Sequence, residues 1–232
     1  MPKINVYLPD DLAGAVRDAG VPVSAICQRA LEQAVRRISA IRQTVLGDLD
    51  PEQLANRLPH FTARTVTVLS LATERARTTG ASTVTSADLL HGMIAEGGNL
   101  ALQILGAMEI DPASITVPDG AEPGSDGPGL RFSAAAANAV ELAATEATGL
   151  GHNYVGCEHL LIGLAAEPDG LGGRALRDVG ADARATRRAV AAATAGYAHL
   201  RASTPAPEVL TAVRAELAPL IKRIEALEVS RA

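Results

Sequence analysis

The chain has 232 residues, of which 47% are hydrophobic and only 2% aromatic, and its formal net charge is -5. A core with so few aromatic rings is built from Ala, Leu, Val and Ile, which favours closely packed helices. The negative charge argues against a protein that coats nucleic acid along its whole surface, and no apolar run approaches the roughly 20 residues that span a bilayer. Because no signal peptide is expected and Cys27 is far in sequence from Cys157, we predict reduced thiols in a cytoplasmic protein.

The first predicted element is a β-strand over residues 3–8, in which Ile4, Val6 and Leu8 alternate with more polar neighbours. No partner strand follows, because Pro9 begins a helix. An unpaired strand leaves its backbone N–H and C=O groups without hydrogen bonds. We therefore predict that the strand pairs with the same strand of a second chain, which makes the protein a homodimer.

Two helices follow this strand. The first ends at Gly20, and the second is capped by Ser24 and extends to about residue 46. One strand followed by two helices resembles the ribbon-helix-helix family of DNA-binding dimers, and the likeness covers residues 1–46. In that family the strand enters the major groove and the second helix begins beside phosphate. The residues that this resemblance implies for DNA binding are Lys3, Asn5, Tyr7, Val23 and Ser24. The alternative is a module that only dimerises and whose polar strand face is solvated.

The rest of the chain alternates between helical segments and breaks. Residues 47–60 form a linker, with room for one helical turn after Pro51. A connector rich in proline and glycine covers residues 112–131 and separates two series of helices. The predicted helices are 62–79, 85–96 and 99–108 before the connector, and 133–149, 156–166, 171–179 and 182–199 after it.

These two series are copies of one repeat. Residues match at a constant offset of 71 without a gap, as for Phe61 and Phe132. The second copy contains the stretch Gly151–Leu164, in which a glycine suited to a left-handed turn precedes an amphipathic helix with Glu158 in its first turn. Two copies indicate a pseudo-twofold pair of helical units.

The stretch Gly151–Leu164 and its earlier copy resemble the Clp N repeat, the amino-terminal domain that receives substrates and adaptors in ClpC-type and ClpA-type unfoldases. The resemblance implies a mainly α fold: an all-helical double Clp N repeat preceded by the ribbon-helix-helix-like segment and followed by a carboxy-terminal helix. The implied domain covers residues 61–200, with repeat 1 at 61–111 and repeat 2 at 132–200. The helix that closes repeat 1 is shortened or lost, which departs from the family. The whole chain resembles stand-alone actinobacterial ClpC-like proteins.

The predicted carboxy-terminal helix covers residues 207–230. Leucine, valine and isoleucine recur there at spacings of three and four, which is typical of a heptad seam, although Pro219 interrupts it. The helix either docks on the Clp N domain or provides a second dimer contact.

The resemblance also implies where ligands bind: Phe61, Phe132 and Glu158. In relatives, the openings at the two phenylalanines lie near a surface for adaptors and cyclic peptide antibiotics; the alternative is that the rings fill the core. Glu158 corresponds to an acid that helps bind phosphorylated arginine in relatives, and its alternative role is to cap a helix. Ala87 replaces that acid in repeat 1, which puts phosphoarginine binding in doubt.

No cofactor, metal site or catalytic group is expected. The chain contains no Gly-x-x-x-x-Gly-Lys-Ser/Thr loop, so we expect no ATP hydrolysis of the AAA+ kind, and its histidines lack metal-ligand spacing. Cys157 is either a reactive thiol or a small residue at a helix start. We therefore predict a non-enzymatic, peptide- and adaptor-binding decoy or regulator of a Clp protease system that is also a DNA-binding autorepressor. The alternatives are an adaptor that delivers substrates to a ClpC unfoldase or withholds them, and a transcription factor with a structural Clp N appendage.

Overall fold

A computed structural model describes residues 4–45, 51–124 and 129–203, and it divides the chain into two units, residues 1–190 and 191–232. The described residues form ten α-helices, one short 3-10 helix and two short strands. In chain order the regular elements are α1 (Asp10–Asp18), α2 (Val23–Val45), α3 (Pro51–Arg57), α4 (Ala63–Thr78), β1 (Thr83–Val84), α5 (Ser86–Glu96), α6 (Leu100–Ala107), β2 (Arg131–Phe132), α7 (Ala134–Gly149), α8 (Cys157–Ala166), α9 (Leu171–Asp178) and α10 (Ala183–Ser203). The prediction of a mainly α fold is confirmed.

Residues 4–9 form no strand in this single chain, in contrast to the sequence prediction. The predicted strand needs a second chain as its hydrogen-bond partner, so the ribbon-helix-helix dimer stays a prediction. Helix α1 begins after Pro9, as expected, and has no buried residue. Helix α2 begins at Val23, which places Ser24 inside the first turn and corrects its assignment as the cap.

Helix α2 is anchored to the rest of the first unit by its carboxy-terminal end. Ile41 is only 3% exposed, and the Arg42 guanidinium donates two hydrogen bonds to Glu141 on α7, at 2.9 Å from Nε and 2.6 Å from Nη2. The amino-terminal half of the helix is different, because Ile26, Leu31 and Val35 are exposed. One helix therefore presents an uncovered apolar face at one end and packs on α7 at the other.

The 71-residue sequence offset reappears in the helices. Helices α4 and α7 begin and end at equivalent positions, as do α6 and α9, and α5 and α8 begin at equivalent positions. Local chemistry explains this agreement, because Thr62 caps α4 through Thr65 N–H and Ser133 caps α7 through Ala136 N–H. Repeat 1 has only a 3-10 turn, Pro112–Ser114, where repeat 2 has α10, so the predicted shortening is confirmed.

The two repeats are joined crosswise by short parallel pairings. Strand β1 of repeat 1 pairs with β2 at the start of repeat 2, with Val84 opposite Phe132. In the equivalent position, Phe61 at the start of repeat 1 forms an isolated parallel bridge with Val155 of repeat 2. Each repeat thus supplies its opening segment to the other, which produces the pseudo-twofold arrangement.

Each repeat is packed around a close crossing of its first two helices, α4 with α5 and α7 with α8. Glycines at equivalent positions allow the approach. A Cβ atom at Gly92 would lie 2.5 Å from the carbonyl oxygen of Val68, and one at Gly163 would lie 2.9 Å from the backbone nitrogen of Ala143. Aliphatic side chains and alanines fill the surrounding core, as the composition implies.

Two further predictions concern the carboxy-terminal helix and membrane-spanning segments. The predicted carboxy-terminal helix at residues 207–230 lies outside the described residues. Within the described ranges, no helix combines the length and the hydropathy that a membrane-spanning segment requires.

Candidate functional site at the equivalent helix starts

Helices α5 and α8 begin at equivalent positions in the two repeats, but their capping chemistry differs. At α5, Thr85 N–H donates to Asp88 Oδ2 at 2.8 Å and Asp88 N–H donates to Thr85 Oγ1 at 3.1 Å, which is a reciprocal capping box. At α8, Gly156 and His159 occupy the same two places, and Gly156 N–H donates to His159 Nδ1 at 2.9 Å. An imidazole in repeat 2 therefore replaces the carboxylate of repeat 1.

The start of α8 carries a cluster of polar side chains around Glu158. His159 is fully buried, and because its Nδ1 accepts from Gly156, its Nε2 carries the proton and donates to His152 Nδ1 at 2.7 Å. The His152 ring stacks on Tyr154 with 5.2 Å between centroids. Tyr154 in turn hydrogen-bonds the Glu158 carboxylate.

Glu158 is a buried acid, with 4% of its surface exposed. Burial raises the pKa of its carboxyl group, and the hydrogen bonds from its own backbone and from Tyr154 oppose that effect, as does the nearby His152. The Glu158 carboxylate lies close to Gly156: a Cβ atom built on Gly156 would be 2.5 Å from Cδ of Glu158. Glycine at this position is therefore what leaves room for the acid.

Cys157 is the first residue of α8 and is buried. Its thiol lies 3.5 Å from Thr65 Oγ1, and burial raises its pKa to about 11. A thiol with that pKa is protonated at neutral pH and is a poor nucleophile. These features favour the small helix-start residue over the reactive thiol.

The start of α5 is closed by an acid that the sequence did not indicate. Glu122, in the connector, is buried and accepts four hydrogen bonds: from Ser86 N–H at 2.8 Å, Ser86 Oγ at 2.5 Å, Ser133 Oγ at 2.5 Å and Leu171 N–H at 2.8 Å. These donors lie at the amino termini of α5, α7 and α9, where partial positive charge favours an anion. The carboxylate thus fastens the connector to both repeats. In the sequence it is one of three acids within a segment rich in proline and glycine, and nothing there distinguishes it from the other two.

The two phenylalanines with predicted ligand roles are both buried, Phe61 at 8% and Phe132 at 2% exposure. Both take part in the crosswise backbone pairings. Their burial favours the alternative in which the rings fill the core between the repeats, and a direct ligand contact stays a prediction.

Four of the five residues predicted to contact DNA lie among the described residues. Lys3 lies outside the described residues. Asn5 and Tyr7 are exposed in the irregular segment before α1, and Val23 and Ser24 are exposed at the start of α2. Among the described parts of the chain, no group of three or more His, Cys, Asp or Glu side chains is arranged to hold a metal ion.

Comparison with known proteins gives a consistent family assignment. Residues 60–118 and 131–224 match the family model described as the Clp repeat (R) N-terminal domain. A chloroplastic ClpA homolog of the ATP-dependent Clp protease ATP-binding subunit from Brassica napus and the chloroplastic chaperone protein ClpC from Pisum sativum are each 38% identical over 126 residues. That stretch is 53% of this chain but only 14% of each relative.

Two solved structures match the chain at low sequence identity. The N-terminal domain of the Clp protease-associated chaperone ClpD from Arabidopsis thaliana is 20% identical, with a TM-score of 0.42, over 57% of this chain and 93% of that one. A structure from a malarial protein secretion system is 18% identical, with a TM-score of 0.47, over 56% of this chain and 92% of that one.

Proposed function

Because this chain belongs to the Clp repeat N-terminal domain family, we propose that it is a non-enzymatic receptor for peptides or adaptor proteins that regulates a Clp protease system in the cytoplasm. The family match over residues 60–118 and 131–224 carries the proposal, and curated relatives are named as the ATP-binding subunit and chaperone of that system. As a decoy, the chain binds peptides or adaptors that otherwise reach a ClpC unfoldase.

The second candidate is an adaptor that delivers substrates to the unfoldase or withholds them. A decoy and a delivering adaptor predict opposite changes in the degradation rate in one assay, whereas a withholding adaptor slows degradation as a decoy does. Degradation of an unfolded substrate by ClpC and its peptidase is measured while the chain is titrated in. A decoy slows degradation, and excess substrate or adaptor restores the rate. A delivering adaptor accelerates degradation, and unchanged rates at all concentrations would contradict both roles.

The start of α8 is the proposed contact for peptide ligands in repeat 2. Glu158 offers an acid there, whereas repeat 1 has Ala87 at the equivalent place and Glu122 on the helix start. The test compares Glu158→Gln with Glu74→Gln, which removes an exposed acid on α4; only the former should weaken binding of unfolded protein or of a phosphoarginine peptide. Phe132→Ala is a poor probe, because loss of so buried a ring costs about 3–5 kcal/mol of stability.

The amino-terminal segment supports a homodimer that binds DNA as an autorepressor. Nine of the eleven large hydrophobic side chains that are exposed among the described residues lie within residues 4–35, including Ile4 at 79%. Their concentration in one segment is typical of an interaction surface, and Ile4, Val6 and Leu8 occupy alternating positions that pair across two chains in a ribbon. Ile4→Asp together with Val6→Asp should convert a dimer to a monomer in sedimentation velocity.

DNA binding is tested by gel shift on the DNA upstream of the gene. Lys3→Ala and Asn5→Ala should abolish the shift and leave the dimer intact. Lys222→Ala, at the other lysine of the chain, is the matched control and should bind as the parent does. A dimer that binds no DNA fragment would leave dimerisation alone as the role of this segment.

We also propose that ligand binding at the Clp N domain weakens DNA binding. Residues 1–46 carry six basic and four acidic side chains, so the remainder of the chain is acidic and repels phosphate over roughly 8–10 Å at physiological salt. Coupling requires that the ligand bind the free and the DNA-bound states with different affinity. Operator affinity is titrated with and without saturating cyclic peptide, and equal affinities would show that the domains act independently.

The non-enzymatic assignment has its own test. A preparation free of unfoldase should neither bind nor hydrolyse ATP, because the sequence has no phosphate-binding loop. Measurable ATPase activity that persists through further purification would contradict it.

A further inference from the structure

A cleft of about 520 Å³ opens in repeat 1 between the end of α4, the start of α5 and the connector. Arg75 and Thr79 line it from the end of α4, Thr83 and Ala87 line it from β1 and α5, and residues 118–121 line it from the connector. The volume lies within the range of about 300–1,000 Å³ for pockets that hold small ligands. At the offset of 71 residues, the equivalent place in repeat 2 is the cluster of polar side chains at the start of α8.

Three side chains of that cluster have smaller counterparts in repeat 1. They are His152, Tyr154 and Glu158, and their counterparts are Ala81, Thr83 and Ala87, all of which line the cleft. The backbone is equivalent in the two places, because Gly80 and Gly151 both have positive φ, at 67° and 76°, and Val84 and Val155 both form a parallel pairing with the other repeat. Repeat 2 thus fills with its own rings the place that is a cleft in repeat 1.

Arg75 takes over the hydrogen bond that His152 makes in repeat 2. There, His152 receives the proton of His159, the third residue of α8. In repeat 1, Arg75 Nε donates to Asp88, the third residue of α5, at 3.0 Å, and its Nη2 donates to Asp119 at 2.6 Å. These ion pairs hold the guanidinium by its edges, and 34% of the side chain is exposed. A guanidinium fixed in this way can stack a ring on its flat face.

The packing of the rings in repeat 2 indicates what the cleft of repeat 1 can hold. Tyr154 stacks on His152, with 5.2 Å between centroids and 7° between planes. In repeat 1, Thr83 is too small to supply this ring, and Arg75 lines the cleft as a planar cation that attracts an aromatic face. We propose that the cleft binds an aromatic side chain of an unfolded peptide, with the ring against the guanidinium of Arg75. This inference rests on the proposed receptor function and deepens it, because it names the side chain that repeat 1 recognises.

The probe is a capped pentapeptide, Ac-Gly-Ser-Trp-Ser-Gly-NH2, whose indole fluorescence can be followed alone because the chain contains no tryptophan. Titration with the full chain gives its affinity, and a peptide with leucine in place of tryptophan is measured by competition. The leucine peptide should bind about tenfold more weakly, because leucine buries apolar surface but does not stack on a guanidinium. Nuclear Overhauser effects from the indole to the methyl groups of Thr83 and Ala87 should place the ring in the cleft.

Substitutions test the space and the cation separately. Thr83→Tyr and, in a second variant, Ala81→His restore the rings of repeat 2 and should abolish binding, whereas Thr67→Tyr adds a ring at an exposed position of α4 outside the cleft and should not. Arg75→Gln should weaken binding of the tryptophan peptide about tenfold and leave binding of the leucine peptide unchanged. Arg77→Gln, exposed on α4 and outside the cleft, should change neither. Far-UV circular dichroism verifies that each variant is folded.

Equal affinities for the two peptides, binding that survives both Thr83→Tyr and Ala81→His, equal losses in the control variants, or no binding at all would overturn the proposal. Binding of an unfolded protein to the parent chain is measured in parallel. If the unfolded protein binds and the tryptophan peptide does not, the aromatic site is wrong and the receptor function stands. If neither binds, both are wrong.

Discussion

Replacing Glu158 by Gln should stabilise the protein at neutral pH and make its stability less dependent on pH. The carboxyl group is almost completely buried, and burial raises its pKa in the folded state. In the unfolded chain the same group returns to an ordinary value of about 4.3. The folded protein therefore binds this proton more tightly than the unfolded chain does.

The sign and the upper limit of this change in stability with pH follow from proton linkage. Below the ordinary pKa both states are protonated, and the group leaves stability unchanged. Between the ordinary and the raised folded pKa, the folded state holds the extra proton, so the free energy of unfolding falls as pH rises, by at most about 1.4 kcal/mol per pH unit. Above the folded pKa the loss is complete. Glutamine keeps the shape of the side chain and carries no titrating proton.

Urea unfolding followed by far-UV circular dichroism measures this effect, since the chain has no tryptophan. The free energy of unfolding is determined from about pH 4.5 to about pH 8, which covers the ordinary carboxyl value and the neutral range. The difference between the Glu158→Gln variant and the parent should grow with pH. Glu74→Gln removes an exposed acid from α4 and reports the general effect of net charge. Parallel curves for the two variants would refute the reasoning.

Three further predictions concern packing, the connector and the buried thiol. Gly163→Ala should lower the free energy of unfolding by about 1–3 kcal/mol, because the added methyl group would overlap the α7 backbone. The control is Gly149→Ala, whose added methyl group meets no atom within 4 Å and should leave thermal stability unchanged or raise it. Equal stabilities of the two variants would contradict the close crossing of α7 and α8. Glu122→Ala should lower the free energy of unfolding by about 2–4 kcal/mol, because four donors lose their acceptor. Amide hydrogen exchange at the starts of α5 and α9 should accelerate, and unchanged exchange there would contradict the role of Glu122 in fastening the connector to both repeats. Cys157, with a pKa of about 11, should resist iodoacetamide at mildly alkaline pH until urea unfolds the protein, and prompt native-state labelling would contradict its burial.

The helices of the repeats could be predicted from the sequence, because the interactions that begin and end them are local. Thr62 caps a backbone N–H three residues ahead, Thr85 and Asp88 cap each other, and Gly151 takes the left-handed conformation after α7. The offset of 71 residues then required two similar helical units. The shortened end of repeat 1 could also be predicted from the sequence, because residues 112–131 have the composition of a connector rather than of a helix.

Contacts between distant residues could not be derived in this way. Glu122 lies 36 residues from Ser86 and 49 from Leu171, and Arg42 lies 99 from Glu141; no periodicity or capping rule links such pairs. The crosswise pairings of Val84 with Phe132 and of Phe61 with Val155 depend on how the repeats face each other. Both phenylalanines are buried in this arrangement. Sequence pattern thus determined the local elements, while only tertiary packing determined which of their side chains meet, because hydrophobic burial and buried hydrogen bonds are satisfied by the chain as a whole.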